Sequence, residues 1–441
     1  MISSEPVIRV GIVERATELR GAFRGAFTAE PSAALTDEFC ASSEENKVVL
    51  TSGRTAVSNR NEIRCLPAEG GSFVLDDVTI GIQFHWERKE RQEFQGTLVF
   101  QKNADGTLTA VNEIGVEDYL MSVISSEMSA AAPTELLKAH AITSRSWLLA
   151  MLEREQKNVG VPSRRSFESQ KEIVRWYDRE DHADFDVCAD DHCQRYQGIS
   201  KIISDAARRA VDETRGTFLV HENAVCDARF SKSCGGLSES FENCWEPVPH
   251  LYLSSVSDAR VQFLPIQREE QARKWVESSP RAFCNTSDGN VLRQILPSFD
   301  RETTDFFRWK VSHGQQELTA LIRKKSGIDF GNIKSLTPVE RGPSGRIIKL
   351  RIAGTKRTMI VGKELEIRRW LSPSHLYSSA FVVEAEGGAK GIPSQFMLRG
   401  AGWGHGVGLC QIGAAVMATE GFNAEEIVKH YFRGAGLTKL Y

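Results

Sequence analysis

No apolar run in this chain comes near the roughly 20 consecutive residues that a membrane-crossing helix requires, so nothing in it reads as a membrane span. Neither sign of charge dominates: 55 Lys and Arg stand against 58 Asp and Glu, a formal net charge of −3, with the two signs interspersed. A basic stripe for a phosphate backbone is therefore missing, which argues against nucleic acid as a partner. Internal repeats and low-complexity segments are absent as well. Nothing at the start resembles a signal peptide, because Ile8-Arg9-Val10-Gly11-Ile12-Val13 already reads as a first strand. The nine cysteines, at 40, 65, 188, 193, 226, 234, 244, 284 and 410, are odd in number and scattered. That is no disulfide framework; it favours a reducing compartment or a metal site.

What remains is an ordinary globular composition, 41% hydrophobic over 441 residues, enough for two or three domains and a sizeable core. Residues 1–113 form a β-rich N-terminal region: Lys47-Val48-Val49-Leu50, the run 78–84 and Gly96-Thr97-Leu98-Val99-Phe100 read as strands, with Asn103-Ala104-Asp105-Gly106 a turn. Two helices come next. Val116, Tyr119, Leu120, Val123 and Ile124 mark the apolar face of one, and Leu137, Ala141, Ser144, Leu148 and Met151 that of the other, with Pro133 in its first turn. Residues 201–215 read as a helix leading into the strand Phe218-Leu219-Val220. Residues 262–345 turn charged and helical (268–276 and 316–325) and read as an inserted helical subdomain. Strands return at 346–352 and 381–384, and Asn423 with Glu426 forms a capping box that opens a last helix. The fold class expected is α+β, with a core of 114–261 and 346–441.

Three segments carry chemistry. Gly402-Trp403-Gly404-His405-Gly406-Val407-Gly408 places four glycines at alternate positions, the mark of a shaped loop rather than a regular strand. Its imidazole is either working or structural. Glu127 falls just past the first helix, in a turn where a carboxylate either projects into a cleft or is solvated; Met128 and Trp403 are candidates for an apolar wall around it. Lys138 and Arg145, two turns apart, share one face of the second helix, either as substrate-binding cations or as an exposed face paired with Glu135 and its neighbours. Between them and the loop, His182, Cys188, His192 and Cys193 form a compact set of imidazoles and thiols, the ligand types of tetrahedral zinc. A Cys188–Cys193 disulfide and free thiols are the alternatives. A second metal site at Cys226, Cys234 and Cys244 has no histidine near it in sequence to support it, and these thiols read as small buried hydrophobes.

Glu117 to Met128, Pro133 to Arg145 and the glycine loop together resemble the family of stage II sporulation protein D and the LytB amidase enhancers, which act on bacterial peptidoglycan. The resemblance covers most of 6–260 and 345–441. It implies a peptidoglycan lytic transglycosylase in which Glu127 is the acid/base, and in which Lys138, Arg145, Trp403, His405 and Gln411 bind glycan strands. It also implies a structural zinc ion at His182, Cys188, His192 and Cys193, although this chain is one residue shorter there than the family. Where the family usually continues Met-Ser-Gln after the loop, this chain has Leu409-Cys410-Gln411. A cell-envelope location and a cell-wall amidase partner are expected from the same resemblance. The rival reading is a non-catalytic glycan-binding enhancer of such an amidase; zinc-assisted hydrolysis at the 182–193 cluster is a third, and it requires an open coordination position.

Overall fold

The computed structural model describes residues 2–30, 32–44, 46–82, 87–129, 132–158, 166–176, 182–202, 204–296 and 305–441. The 78–84 run is therefore described only through Ile82. Two compact units emerge, Met1–Ala141 with Asp181–Thr217 and Lys439–Tyr441, and Ile142–Glu180 with Phe218–Thr438. The class is α+β, as expected.

The first unit rests on two sheets. In the seven-stranded one, Val7–Ala16 pairs antiparallel with Leu108–Gly115 and, on its other edge, parallel with the short strand Val187–Cys188. The six-stranded one runs from Arg88–Gln95 through Ser72–Ile80, Glu18–Arg24, Glu38–Glu44 and Lys47–Ser52 to Thr55–Asn59. Glu18–Arg24 and Lys47–Ser52 bury every second side chain, as a strand with one wet face must. The Asn103 turn closes with Gly106 N–H on the Asn103 carbonyl and Gly106 at positive φ.

Leu108–Gly115 runs straight into helix α1, Val116–Glu127, whose first turn carries Glu117 and Asp118 where the helix dipole favours negative charge. All five of its expected apolar-face residues are buried, each worth about 1.5–3 kcal/mol relative to exposure. Helix α2, Thr134–Asn158, begins one residue after Pro133, whose carbonyl accepts the Leu137 N–H. Helix α3, Asp205–Glu213, is capped by the Ser204 hydroxyl and is shorter than the 201–215 read from sequence, since Ile199–Lys201 winds instead as a 3-10 turn.

In the second unit a five-stranded sheet orders Phe167–Glu168, Glu172–Val174, Thr358–Gly362, Ile347–Gly354 and Ile333–Arg341. A three-stranded sheet joins Arg308–Gly314, Gln395–Ala401 and Phe381–Glu386. Helices α4 (Glu269–Glu277), α5 (Gly289–Ile295), α6 (Gln315–Ser326), α7 (Glu364–Trp370), α8 (Gln411–Thr419) and α9 (Ala424–Tyr431) complete it. Trp309, Leu318, Ile322, Phe330, Ile352, Trp370 and Leu398 share one core. The stretch 262–345 holds the two helices read from its charge pattern, but also Arg308–Gly314 and Ile333–Arg341. These strands pair with 395–401 and 347–354, so the stretch is built into sheets with the C-terminal part of the chain rather than standing apart as a helical subdomain. The Asn423 capping box is formed reciprocally, at 2.9 and 2.8 Å.

Candidate functional site

In the first unit, α1 continues through Glu127 rather than ending before it, and the carboxylate at the helix terminus is buried, 8% exposed, beside buried Met128. Its Oε1 accepts the Arg195 main-chain N–H at 3.1 Å. That N–H belongs to a segment, 194–198, laid along α1: the Gln197 N–H donates to the Ser122 hydroxyl, which donates to the Gly198 carbonyl, and Tyr119 stacks on Tyr196. The Arg195 guanidinium pairs with Asp191 at 2.5 Å. The nearest earlier carboxylates on the helix, Asp118 and Glu117, lie nine and ten residues back, about 14–15 Å along the axis, and Glu117 accepts from Gly216 N–H and the Tyr441 hydroxyl. A carboxylate pair for hydrolysis needs a separation of about 5–10 Å. Lys138 pairs with Glu135 at 2.9 Å and Glu213 at 2.6 Å. Of the two roles left open for it, that is the ion-paired arrangement.

The segment 194–198 emerges from the imidazole–thiol cluster. Val187–Cys188 anchors its start on the first strand, where Phe185 lies so close to Gly11 that a Cβ there would meet the ring at 2.6 Å. Phe185 stacks on His182 at 4.5 Å. The Cys193 Sγ is 3.4 Å from His182 Nε2 and 3.5 Å from His192 Nδ1, and the Cys188 Sγ is 3.9 Å from His192 Nδ1. All four donor atoms lie within 4.8 Å of one another. The Cys193 thiol, and then the two imidazoles, hold the Cys188 thiol down to about 2 against the burial that raises it. A ready thiolate within such a set fits a tetrahedral zinc ion closed by four protein ligands. None of the nine cysteines is in a disulfide, so the Cys188–Cys193 bridge is not formed.

In the second unit the glycine loop takes the form its sequence implied: Gly402, Gly404, Gly406 and Gly408 all have positive φ. Trp403 exchanges both main-chain bonds with Ser233, at 2.7 and 3.1 Å, and its half-buried ring packs on Tyr377 and Phe306 at 4.3 and 4.7 Å. His405 is half-buried; its Nδ1 accepts the Val407 N–H at 3.0 Å, and its ring meets Trp245 edge-on at 4.6 Å. Burial, then the cations Arg229, Arg346 and Arg368, drive its pKa well below the usual imidazole range, so the ring is neutral. Gln411 opens α8, 3% exposed, while the cap itself is the Cys410 sulfur. Arg145, on the α2 segment belonging to this unit, is fully buried.

Several residues that shape the loop are not legible in the sequence. Arg346, 1% exposed, donates to the carbonyls of Gly404 and Cys234, and Glu239 N–H donates to Gly406 O. Arg229 covers the Trp245 ring at 4.3 Å. Lone Arg, Glu and Trp residues separated by a hundred positions give no local pattern. Among the described residues a second compact donor set appears as well, Cys234, Asp258, Cys284 and Cys410.

Comparison with known proteins bears on this geometry. Residues 104–221, which span α1, Glu127 and the imidazole–thiol cluster, match the family Stage II sporulation protein; residues 239–408 match a domain of unknown function, DUF8618. Residues 104–221 thus match the family that the sequence segments resemble. It is 25% identical over 347 residues to an uncharacterized protein of Brachyspira hyodysenteriae, covering 78% of this chain and 72% of that one. It is 24% identical over 331 residues to the Stage II sporulation protein D of Bacillus amyloliquefaciens, covering 75% and 76%. To the Amidase enhancer of Bacillus subtilis it is 22% identical over 331 residues, 72% of this chain and 40% of that protein. No helix among the described residues is long and apolar enough to cross a membrane.

Proposed function

We propose that this chain acts in cell-wall metabolism as a peptidoglycan lytic transglycosylase with Glu127 as its single acid/base. The family domain and the amidase-enhancer relative support the cell-wall role. The observation that carries the chemistry is the placement of Glu127: a buried carboxylate, fixed by a main-chain N–H, with the other carboxylates of its helix confined to the first turn, too distant to serve as a hydrolytic partner. One carboxyl suffices when the nucleophile belongs to the substrate. Glu127 gives its proton to the glycosidic oxygen as the bond to the muramoyl C1 breaks, then takes the proton of that sugar's own C6 hydroxyl as O6 closes on C1. The product is a 1,6-anhydro end, no water is consumed, and the intramolecular attack supplies the effective molarity.

The family resemblance assigns Lys138, Arg145, Trp403, His405 and Gln411 to substrate binding. For the neutral, loop-bound His405 this means shaping rather than charge. His182, Cys188, His192 and Cys193 would hold a zinc ion that serves structure, because four protein ligands leave no coordination position for a reacting water. The short run from Cys193 to Arg195 ties that structure to Glu127. Digestion of purified wall glycan by wild type and Glu127→Gln, read by mass spectrometry, tests the assignment. Wild type releases ends one water lighter than hydrolysis gives, and the variant releases none while still folding and binding glycan. Anhydro ends from Glu127→Gln would refute it; no ends from either protein, with stimulation of an added amidase, would favour the enhancer reading.

A further inference from the structure

The second unit gathers three thiols and a carboxylate from four distant points of the chain. Cys234 comes from the strap that pairs with the glycine loop, Asp258 from an irregular segment, Cys284 from the turn after α4, and Cys410 from the N-cap of α8. All four are buried, none more than 2% exposed, and their donor atoms lie within 4.8 Å of one another. We infer that Cys234, Asp258, Cys284 and Cys410 form a closed tetrahedral site for one zinc ion, separate from the imidazole–thiol cluster of the first unit.

Three features support an ion rather than packed thiols. First, spacing: thiolates at the Zn–S length of about 2.3 Å around a tetrahedral centre stand about 3.8 Å apart, and Cys234 Sγ lies 3.8 Å from Cys284 Sγ. A multi-iron cluster would hold its sulfurs farther apart. Second, the sulfurs are met by main-chain donors, as metal-bound thiolates are: Gly236 N–H reaches Cys234 Sγ at 3.4 Å, and Cys234 N–H and Gly413 N–H reach Cys410 Sγ at 3.3 and 3.4 Å. Asp258 is held likewise, with the Tyr431 hydroxyl on Oδ1 at 2.5 Å and Cys284 N–H on Oδ2 at 2.7 Å.

Third, three thiols and one carboxyl, the ligand types of a closed zinc site, are gathered in one buried spot. Arg308, the cation that Cys234 and Cys284 influence, directs its guanidinium to the carbonyls of Trp275, Gly235, Phe307 and Ser278. Thiolate-rich tetrahedral donor sets select zinc, and four protein ligands make the site structural.

Its place in the fold gives it a task. Cys410 comes two residues after Gly408, and Cys234 is next to Ser233, which brackets Trp403 by two main-chain bonds. The ion would staple both ends of the glycine loop to the 258 and 284 segments.

The test is metal content of the full chain purified from zinc-supplemented cells. Wild type should carry about two zinc ions per chain, one from each closed set. Cys188→Ser with Cys193→Ser should keep one, and its cobalt-substituted form should show sulfur-to-cobalt charge-transfer absorption. Cys234→Ser with Cys284→Ser should lose one ion relative to wild type. An unchanged metal count in that second double variant would overturn the inference, as would a Cys234–Cys284 disulfide in the intact mass of the wild-type protein. Should the second double variant fail to fold, zinc-edge anomalous diffraction from wild-type crystals decides: a peak between the four side chains upholds the site, and none there removes it.

Discussion

Replacing Gly406 by Ala tests how the glycine loop is held. The residue sits at φ +78°, a region that costs an L-residue about 1–2 kcal/mol. In addition, a Cβ at this position would lie 2.3–2.5 Å from three atoms of the Arg346 guanidinium. That group cannot swing away freely, because it is buried and bonded to Gly404 O at 3.1 Å, Cys234 O at 3.2 Å and Ser344 Oγ at 3.1 Å. Losing even one hydrogen bond to a charged group costs about 1.5–3 kcal/mol, so the total is about 2.5–5 kcal/mol. Gly421→Ala supplies the control: φ is +91°, yet nothing lies within 4 Å of the added carbon, so only the conformational cost of about 1–2 kcal/mol applies. Urea unfolding monitored by tryptophan fluorescence should place Gly406→Ala at least about 1.5 kcal/mol below Gly421→Ala. Equal losses would mean that Arg346 does not brace the loop.

Other outcomes rest on the same geometry. Glu127→Gln should leave the urea midpoint nearly unchanged while release of anhydro-ended fragments falls below detection. Tyr431→Phe withdraws the hydroxyl from buried Asp258 and should cost about 1–3 kcal/mol by the same unfolding assay. Gly11→Ala should displace Phe185 from beneath His182 and weaken zinc retention at the first-unit cluster in competition with a chelator; undiminished retention would show that Phe185 is not its support. His375 is held down to about 4 by burial and by Arg368, Lys325 and Arg369. Between pH 6.5 and 4 the unfolded chain therefore binds a proton there that the native chain refuses, and stability is lost as pH falls through that window. The stability of His375→Asn relative to wild type should rise over the same interval; a pH-independent difference would contradict the assignment.

Local patterns in the sequence carry a good part of this structure. The apolar faces of α1 and α2, the Asn103 turn, the Asn423 capping box and the positive φ of the loop glycines each depend on residues within a few positions of one another, and all are found where the sequence puts them. Pairings at long range are not legible. The strand at 308–314 finds its partner at 395–401, and no periodicity within 262–345 announces that. Cys234 reads as a small hydrophobe for want of a nearby histidine, whereas its companions are an aspartate and two thiols, the farthest 176 residues away. Lys138 shows a different gap: helical spacing gives its face but not the acidic neighbour, Glu213, that α3 brings to it.

The run from Cys193 to Arg195 gives the first unit a mechanical dependence. Two peptide units separate a sulfur of the imidazole–thiol loop from the N–H that grips Glu127. Oxidation or alkylation of that sulfur, or starvation of the cell for the metal it suits, would slacken the grip without touching the carboxylate itself. Under the proposed function, activity would then track the redox and metal status of the compartment, and protein prepared under careless thiol handling would look inactive for reasons unrelated to its substrate.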